Sequence, residues 1–371
     1  MFITSLKLEQ YRNIEALNLS IDAGVNMFVG ANAQGKTNIL ESILVLALTK
    51  SHRTSKDKEL IHWQSDYTRL HAGITKKYGA GTLDLHIGQQ GKTAKINGLE
   101  QKKLSGFVGA LNVVMFAPED LEIVKGSPGV RRRFMDMEIG QVHPAYLYEL
   151  QQYQKIVQQK SNGFRKLDMA KESNRVMLDV WNEQMATSGV KIMKNRQSFI
   201  NKLQVWAQNI HSGITNGQEQ LRIVYKPSID CDDLQDDSVL FNQFMIKLSQ
   251  VKEQEQRRMM CLVGPHRDDL ILYINDKEVL AYGSQGQQRT CALSLKLAEL
   301  ELMREEVGEY PVLLLDDVLS ELDRHRQTQL IETFQDKVQT FITATDIDHV
   351  NAAKLKRAML YHVNAGNIQM G

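Results

Sequence analysis

The chain opens on alternating apolar and polar positions. Residues 2–8 and 15–21 keep the period of two of half-buried strands, joined by a turn at Tyr11-Arg12-Asn13. Val25 to Val29 is a continuous apolar run, read as a short buried strand that ends at Gly30. From Asn38 to Leu48 the spacing changes to that of a helix with a broad apolar face. Residues 67–97 hold three strand-like runs, YTRLHAGITKK, TLDLHIG and KTAKIN. Gly79-Ala80-Gly81, Gly88-Gln89-Gln90-Gly91 and Asn97-Gly98 punctuate them, and such turn chemistry predicts an antiparallel meander. Asn112 to Phe116 reads as another strand, closed by Ala117-Pro118.

The texture then changes. From about Glu119 to Arg258 the chain is polar and helical, with EQLRIVY at 219–225 expected as an isolated strand. No heptad is sustained over this length, so no long coiled coil is predicted. Beyond Gly264-Pro265 the α/β texture returns: a strand at 270–274, a helix from Gln287 to Val307, a strand at 312–316, a helix near 322–335 and a strand at 338–343. The simplest organisation is an α/β head made of residues 1–118 plus 259–371, with a mainly helical lobe, 119–258, inserted into it.

Composition narrows the picture. Of 371 residues, 45 are basic and 44 acidic, a formal charge of +1, so a nucleic acid would have to be drawn by a local patch. Candidates for such a patch are Lys76, Lys77, Lys92 and Lys95, with Lys191, Lys194 and Arg196 in the helical lobe. The three cysteines, Cys231, Cys261 and Cys291, lie far apart without metal spacing and read as reduced core residues. The first residues lack the pattern of a signal peptide. The most apolar stretch, Ile39 to Leu48, contains Glu41 and is too short to span a bilayer. A soluble, cytoplasmic protein without a membrane association is expected.

The candidate chemistry begins at Gly30-Ala31-Asn32-Ala33-Gln34-Gly35-Lys36-Thr37, which fits G-x-x-x-x-G-K-[ST] between a buried strand and a helix. In such a loop the glycines let backbone N–H groups turn around phosphate oxygens, and the helix N-terminus adds positive charge. Lys36 is then the residue for the β- and γ-phosphates of ATP, and Thr37 a Mg²⁺ ligand. Pro311-Val312-Leu313-Leu314-Leu315-Asp316-Asp317 is an apolar strand ending in two carboxylates. Asp316 is expected to hold Mg²⁺, directly or through water, and Asp317 to orient or deprotonate the attacking water. Tyr282-Gly283-Ser284-Gln285-Gly286-Gln287-Gln288-Arg289 precedes a helix, where a Ser-x-Gly-Gln turn makes a second anion site.

This last stretch resembles the signature motif of ATP-binding-cassette ATPases, with Gln285 in place of the first glycine. The resemblance implies that Ser284, Gly286 and Gln287 meet the γ-phosphate held by a partner subunit, so that two copies pair in the presence of ATP. Val318-Leu319-Ser320-Glu321-Leu322-Asp323 resembles the cassette D-loop. Thr345 or Asp346 stands where cassette transporters carry a switch histidine. Tyr11-Arg12-Asn13 and Ser51-His52-Arg53-Thr54 resemble pieces of the structural-maintenance-of-chromosomes family, which implies nucleotide contacts for Arg12, Asn13 and Arg53.

Over its full length the chain resembles the RecF family of bacterial recombinational-repair ATPases. The residues that carry this are Gly30–Thr37, Lys50–Thr54, Phe116–Leu121 with Gly126-Ser127-Pro128 and Arg131-Arg132-Arg133, Gly264-Pro265-His266-Arg267-Asp268-Asp269, Ser284–Thr290 and Leu313–Asp323. The resemblance implies a weak DNA-dependent ATPase that dimerises with ATP on single-stranded, duplex or gapped DNA near junctions. It further implies work with RecO and RecR, and indirectly RecA, in repair, replication and the SOS response. It leaves the roles of Glu119 and Asp120, in the region of the family's lid glutamine, open. A cytoplasmic ATPase subunit of a cassette transporter is the alternative, and a metabolic phosphoryl-transfer enzyme would leave Ser284–Arg289 unexplained.

Overall fold

The run Val25–Val29 is buried at every position because it becomes an interior strand. The computed structural model describes residues 1–168, 171–230, 236–321, 324–334, 337–346 and 358–371, which divide into two units. Unit 1 comprises Met1–Leu121, Asn209–Gly217 and Thr290–Gly371; unit 2 comprises Glu122–Gln208 and Gln218–Arg289.

Unit 1 begins with β1 (Phe2–Tyr11), β2 (Ile14–Ser20) and β3 (Val25–Val29). The expected meander follows as β4 (Tyr67–Lys76), β5 (Gly79–Gly88), β6 (Gly91–Ile96) and β7 (Leu99–Glu100). Together they form an antiparallel sheet of order β2-β1-β4-β5-β6-β7. Strand β8 (Val113–Phe116) joins a second sheet, completed from the far end of the chain.

Unit 2 is not purely helical. Strand β9 (Leu221–Lys226) is paired rather than isolated: it lies antiparallel to β10 (Asp269–Ile274), which also pairs with β11 (Lys277–Glu278). Residues 259–289, expected in the head, therefore belong to unit 2, and the boundary expected after 258 lies at Arg289/Thr290.

The strands β12 (Val312–Asp316), β13 (Thr340–Ala344), β14 (Met359–Asn364) and β15 (Asn367–Met370) complete the second sheet of unit 1, in the order β15-β14-β3-β13-β12-β8. All pairs but β14–β15 are parallel, and β3, β12 and β13 are buried throughout, as strands covered on both faces must be. Helix α1 (Lys36–Leu48) packs against β4 and β5 of one sheet and β8, β12 and β13 of the other. Its position between two sheets explains why nearly every side chain on it is buried.

The stretch Gly264–Asp269 builds a polar lock inside unit 2. The Asp268 carboxylate, fully buried, accepts from the Tyr225 hydroxyl, from Ser228 N at 2.7 Å and from Arg196 Nη1 at 3.4 Å. Arg196, also buried, donates to Asp136 at 2.8 Å and to the Pro265 carbonyl at 2.7 Å. Asp269 takes a two-pronged bond from Arg131, at 2.7 and 3.0 Å. His266 lies 2.7 Å from the Tyr153 hydroxyl, and burial pushes its pKa down to about 4. Replacing Asp268 by Ala leaves Arg196 charged and buried without one of its acids. Such losses cost about 3–5 kcal/mol, and a matching fall in chemical denaturation midpoint is the expected result.

Candidate nucleotide-binding site

Gly30–Thr37 carries the chain from β3 into α1. Gly30 has no room for a side chain: a Cβ there would lie 2.3 Å from the Val363 carbonyl oxygen. Gly35 has φ of 109°, a left-handed conformation costly for other residues, and its Cβ would strike the Asn13 side chain at 2.9 Å. Gly35 is also the N-cap of α1. No side chain caps it and no acidic residue sits in the first turn, so the positive end of the helix dipole is not offset by a local carboxylate. Lys36 lies folded into the loop, its Nζ donating to the carbonyls of Gly30 (2.5 Å) and Ala31 (2.8 Å). Burial lowers its pKa, and the charges of Asp317 and Asp316 oppose that shift.

Asp316 closes β12, which is separated from β3 by β13. It nevertheless reaches the loop: Thr37 Oγ1 donates to Asp316 Oδ1 at 2.9 Å, and Thr343 Oγ1 to the same oxygen at 2.7 Å. Burial raises the Asp316 pKa against the pull of these two hydroxyls. A hydroxyl and a carboxylate side by side are hard oxygen donors, the kind Mg²⁺ takes while phosphates and waters fill its remaining positions. Thr37 and Asp316 thus fit that ion. Asp317 follows in a left-handed conformation, φ 54°, with its N–H bonded to Thr343 Oγ1 at 2.9 Å and its carboxylate to Ser320 Oγ at 3.1 Å.

Arg12 is held from within. Its guanidinium meets Glu41, fully buried in α1, through Nε at 2.9 Å and Nη2 at 2.6 Å, and donates to the Glu59 carbonyl at 2.7 Å. Asn13 is the residue of this turn that touches the loop: its Nδ2 donates to the Gln34 carbonyl at 3.3 Å, and its Oδ1 accepts from Asn38 at 2.7 Å. Ser51 Oγ donates to Glu41 at 2.6 Å, and Arg53 donates to Asn38 Oδ1 at 2.9 Å. These bonds fold the segment after α1 back towards the first turn of the helix. Beside Arg12 opens a hollow of about 730 Å³, lined by Glu59, Ile61, His62 and the exposed Trp63 among others.

Ser284, Gln285, Gly286 and Gln287 lie in unit 2, whereas the other site residues lie in unit 1. Ser284 caps the helix Gln285–Val307 reciprocally: its Oγ accepts from Gln287 N at 3.2 Å, and its N–H donates to Gln287 Oε1 at 3.0 Å. The hydroxyl is exposed, and so is Gly286. The D-loop stretch is described as far as Glu321, and Leu322-Asp323 lie outside the described residues, as does Cys231. Cys261 and Cys291 are buried. Thr345 and Asp346 follow the end of β13.

Comparison with known proteins gives the family of the chain. Residues 2–368 match the model of the RecF/RecN/SMC N terminal domain. The DNA replication and repair protein RecF of Bacillus cytotoxicus is 52% identical over 99% of this chain and 98% of its own length. That of Bacillus cereus is 51% identical with the same coverage. The chain belongs to the RecF family. The solved recombination mediator protein RecF-ATP in the RecFOR pathway superposes with a TM-score of 0.93 at 31% identity, covering 100% of this chain and 97% of that one. An Smc head from Pyrococcus furiosus, 14% identical with a TM-score of 0.57, shares the fold of the head. A RecF-family chain is a DNA replication and repair protein, so the transporter alternative falls away. No helix among the described residues is long and apolar enough to cross a membrane.

Some expected cations are withdrawn from solvent in this RecF-family chain. Arg196 is buried in the Asp268 lock. Lys92 bonds Asp57 at 2.6 Å and the Thr49 carbonyl at 2.5 Å, and Lys76 donates to the Gly109 carbonyl at 3.3 Å. Lys191 pairs with Glu149, and Lys194 with Asp237. Lys77 lies over the exposed Tyr78 ring, and Lys95 stays exposed.

Three contributors were not assigned a role from the sequence. Glu41 sits within an apolar helix, where a lone acid could have been noticed as a buried charge in need of a partner. The β14–β15 turn clamps the phosphate loop, with Ala365 N donating to Gln34 Oε1 at 2.7 Å and Gly366 N to the Gln34 carbonyl at 2.9 Å. His52 is the third. Burial would raise the Glu41 pKa, but bonds from Arg12 and Ser51 and the nearby charge of Arg53 outweigh it and hold the pKa below the ordinary 4.5. A depressed carboxylate pKa stabilises the fold above pH 4.5 and loses that contribution as pH falls through the folded value. Glu41→Gln is expected to cost about 3 kcal/mol near neutrality. Denaturant melts at a series of pH values should show the gap to wild type closing as the solution is acidified below 4.5.

Proposed function

We propose that this RecF-family chain binds ATP with Mg²⁺ at the phosphate loop and hydrolyses it slowly when bound to DNA. ATP-driven pairing of two copies holds gapped DNA or single-strand/double-strand junctions, and hydrolysis releases them. The observation that carries this reading is the Thr37–Asp316 bond of 2.9 Å, which brings the loop at the mouth of α1 and the acidic end of β12 together. The likeness to RecF-ATP supports it.

Backbone N–H groups of Ala31–Thr37 surround the phosphates, and Lys36 exchanges the Gly30 and Ala31 carbonyls for β- and γ-phosphate oxygens. Thr37 and Asp316 would hold Mg²⁺, which would supply neutralisation of phosphate charge. Asp317 accepts a proton from the attacking water. Asn13 supports the loop from behind. Arg12 and Arg53 stand beside the nucleotide, Arg12 with two of its donors committed to Glu41. Ser284, Gly286 and Gln287 present the capped end of their helix to the γ-phosphate held by the other copy. RecO and RecR act with the dimer, and through them RecA loads at gaps; the setting is the bacterial cytoplasm, in repair and the SOS response.

Lys36→Ala is expected to weaken ATP binding about 100-fold, the loss of charged hydrogen bonds worth roughly 3 kcal/mol. Asp317→Asn suits the left-handed backbone and should keep ATP while slowing turnover about 10²- to 10⁴-fold. Equilibrium nucleotide binding and single-turnover hydrolysis check both; wild-type affinity in the first variant contradicts this site.

Ser284→Arg should bind ATP as a monomer and fail to sediment as a dimer. The lost cap costs only about 1 kcal/mol, too little to unfold the chain. Wild-type duplex affinity should rise with ATP and fall by about 0.9 log unit per phosphate contact for each log unit of salt, and the variant should lose the ATP-dependent rise. Affinity indifferent to both salt and nucleotide would leave a partner protein as the bridge to DNA.

A further inference from the structure

His52 is placed with care and bonded to nothing. Helix α1 rises about 1.5 Å per residue, so a chain continuing past its end at Leu48 would leave the phosphate loop far behind. It turns back instead. Ser51 Oγ donates to Glu41 Oε1 at 2.6 Å and accepts from Arg53 N at 3.0 Å, and Arg53 reaches Asn38, in the first turn of α1. The residue held between these two anchors is His52.

Both ring nitrogens of His52 are fully covered, and neither has a hydrogen-bond partner among the described residues. A buried imidazole serving packing alone would bond one nitrogen to a carbonyl or hydroxyl, as His266 and His211 do. The anchors on either side of the ring fix its surroundings: Ser51 is tied to Glu41 and Arg53 to Asn38, both on α1. Asp316 ends β12, and Glu119 follows the end of β8, the strand paired to it in parallel. Asn38, which receives Arg53, directly follows Thr37, whose hydroxyl meets Asp316, so the His52 segment lies beside the first turn of α1 and the end of β12. Burial keeps the ring neutral, with one N–H and one lone pair to offer.

We propose that His52 is a catalytic residue of the ATP site, its imidazole hydrogen-bonding the water that attacks the γ-phosphate. The inference rests on the ATP reading above. In the step, the water oxygen bonds to the γ-phosphorus, the bond from that phosphorus to the ADP oxygen breaks, and the water proton passes to Asp317. The ring fixes the direction of attack and takes no proton itself.

The test measures single-turnover ATP hydrolysis, equilibrium ATP affinity and melting temperature for His52→Ala, His52→Phe and His52→Gln in the full chain. The expected result is a rate about 100-fold lower in the Ala and Phe variants, with affinity within about threefold of wild type. Gln, which keeps a donor and an acceptor, should recover part of the rate. The Phe variant should melt no lower than wild type, because it removes two unpaired buried nitrogens and keeps a ring. Wild-type turnover in His52→Phe would overturn the proposal, as would a loss of rate that tracks a lower melting temperature in all three variants. Lost affinity with an unchanged rate constant would place the ring on the nucleotide rather than on the water, and so overturn it too. Lys36→Ala run alongside separates the two readings: wild-type ATP binding in that variant sinks the site itself, whereas lost binding with a normal His52→Phe rate sinks only the role of the imidazole.

Discussion

Glu41 places a negative charge inside a helix that two sheets enclose, and a charge so buried must be met by partners or not carried at all. Its partners come from both sides of the phosphate loop in sequence: Arg12 from the turn between the first two strands, Ser51 from the segment after the helix. Fixing Arg12 sets the next residue, Asn13, against Gln34 and Asn38. Fixing Ser51 sets the backbone of Arg53 and Thr54, with His52 between. One carboxylate thus aligns the loop, the turn behind it and the segment beside it. The arrangement is stiff because none of the three can move without exposing the acid to an apolar interior.

Much of this was legible in the residues. Gly30–Thr37 is a local motif whose chemistry constrains its own backbone, and the alternating runs of 67–97 carry their turns with them. The buried strands Val25–Val29 and Val312–Asp316 announce themselves as unbroken apolar runs, which the two-sided burial of a parallel sheet requires. What stayed hidden depends on long-range pairing. EQLRIVY looked isolated because its partner β10 lies more than forty residues away, and residues 259–289 looked like head because their strand texture says nothing about which sheet they join. Arg196 read as a surface cation for the same reason, since charge alone does not distinguish a solvated face from a buried lock.

The family-marking stretch Gly264–Asp269 now has a physical account. Its two aspartates collect Arg131, Arg196, Tyr225 and Ser228, so the motif is architecture for unit 2. Ser284 and Gln287 satisfy each other at the start of a 23-residue helix, the hydroxyl accepting from Gln287 N and the Gln287 side chain from Ser284 N.

The clamp of the C-terminal hairpin on the phosphate loop bears on the order of events during synthesis. Gln34 emerges early from a ribosome, but its partners Ala365 and Gly366 are made some 330 residues later, and β3 also waits for β13 and β14 on either side. At about 5–20 residues per second that is an interval of roughly 15–65 s, during which the loop lacks the hairpin and the two strands that flank β3. A nascent or truncated chain lacking the last two strands has no complete cradle for phosphate. The full hydrogen-bonded frame of the loop is therefore complete only once translation has run past residue 366.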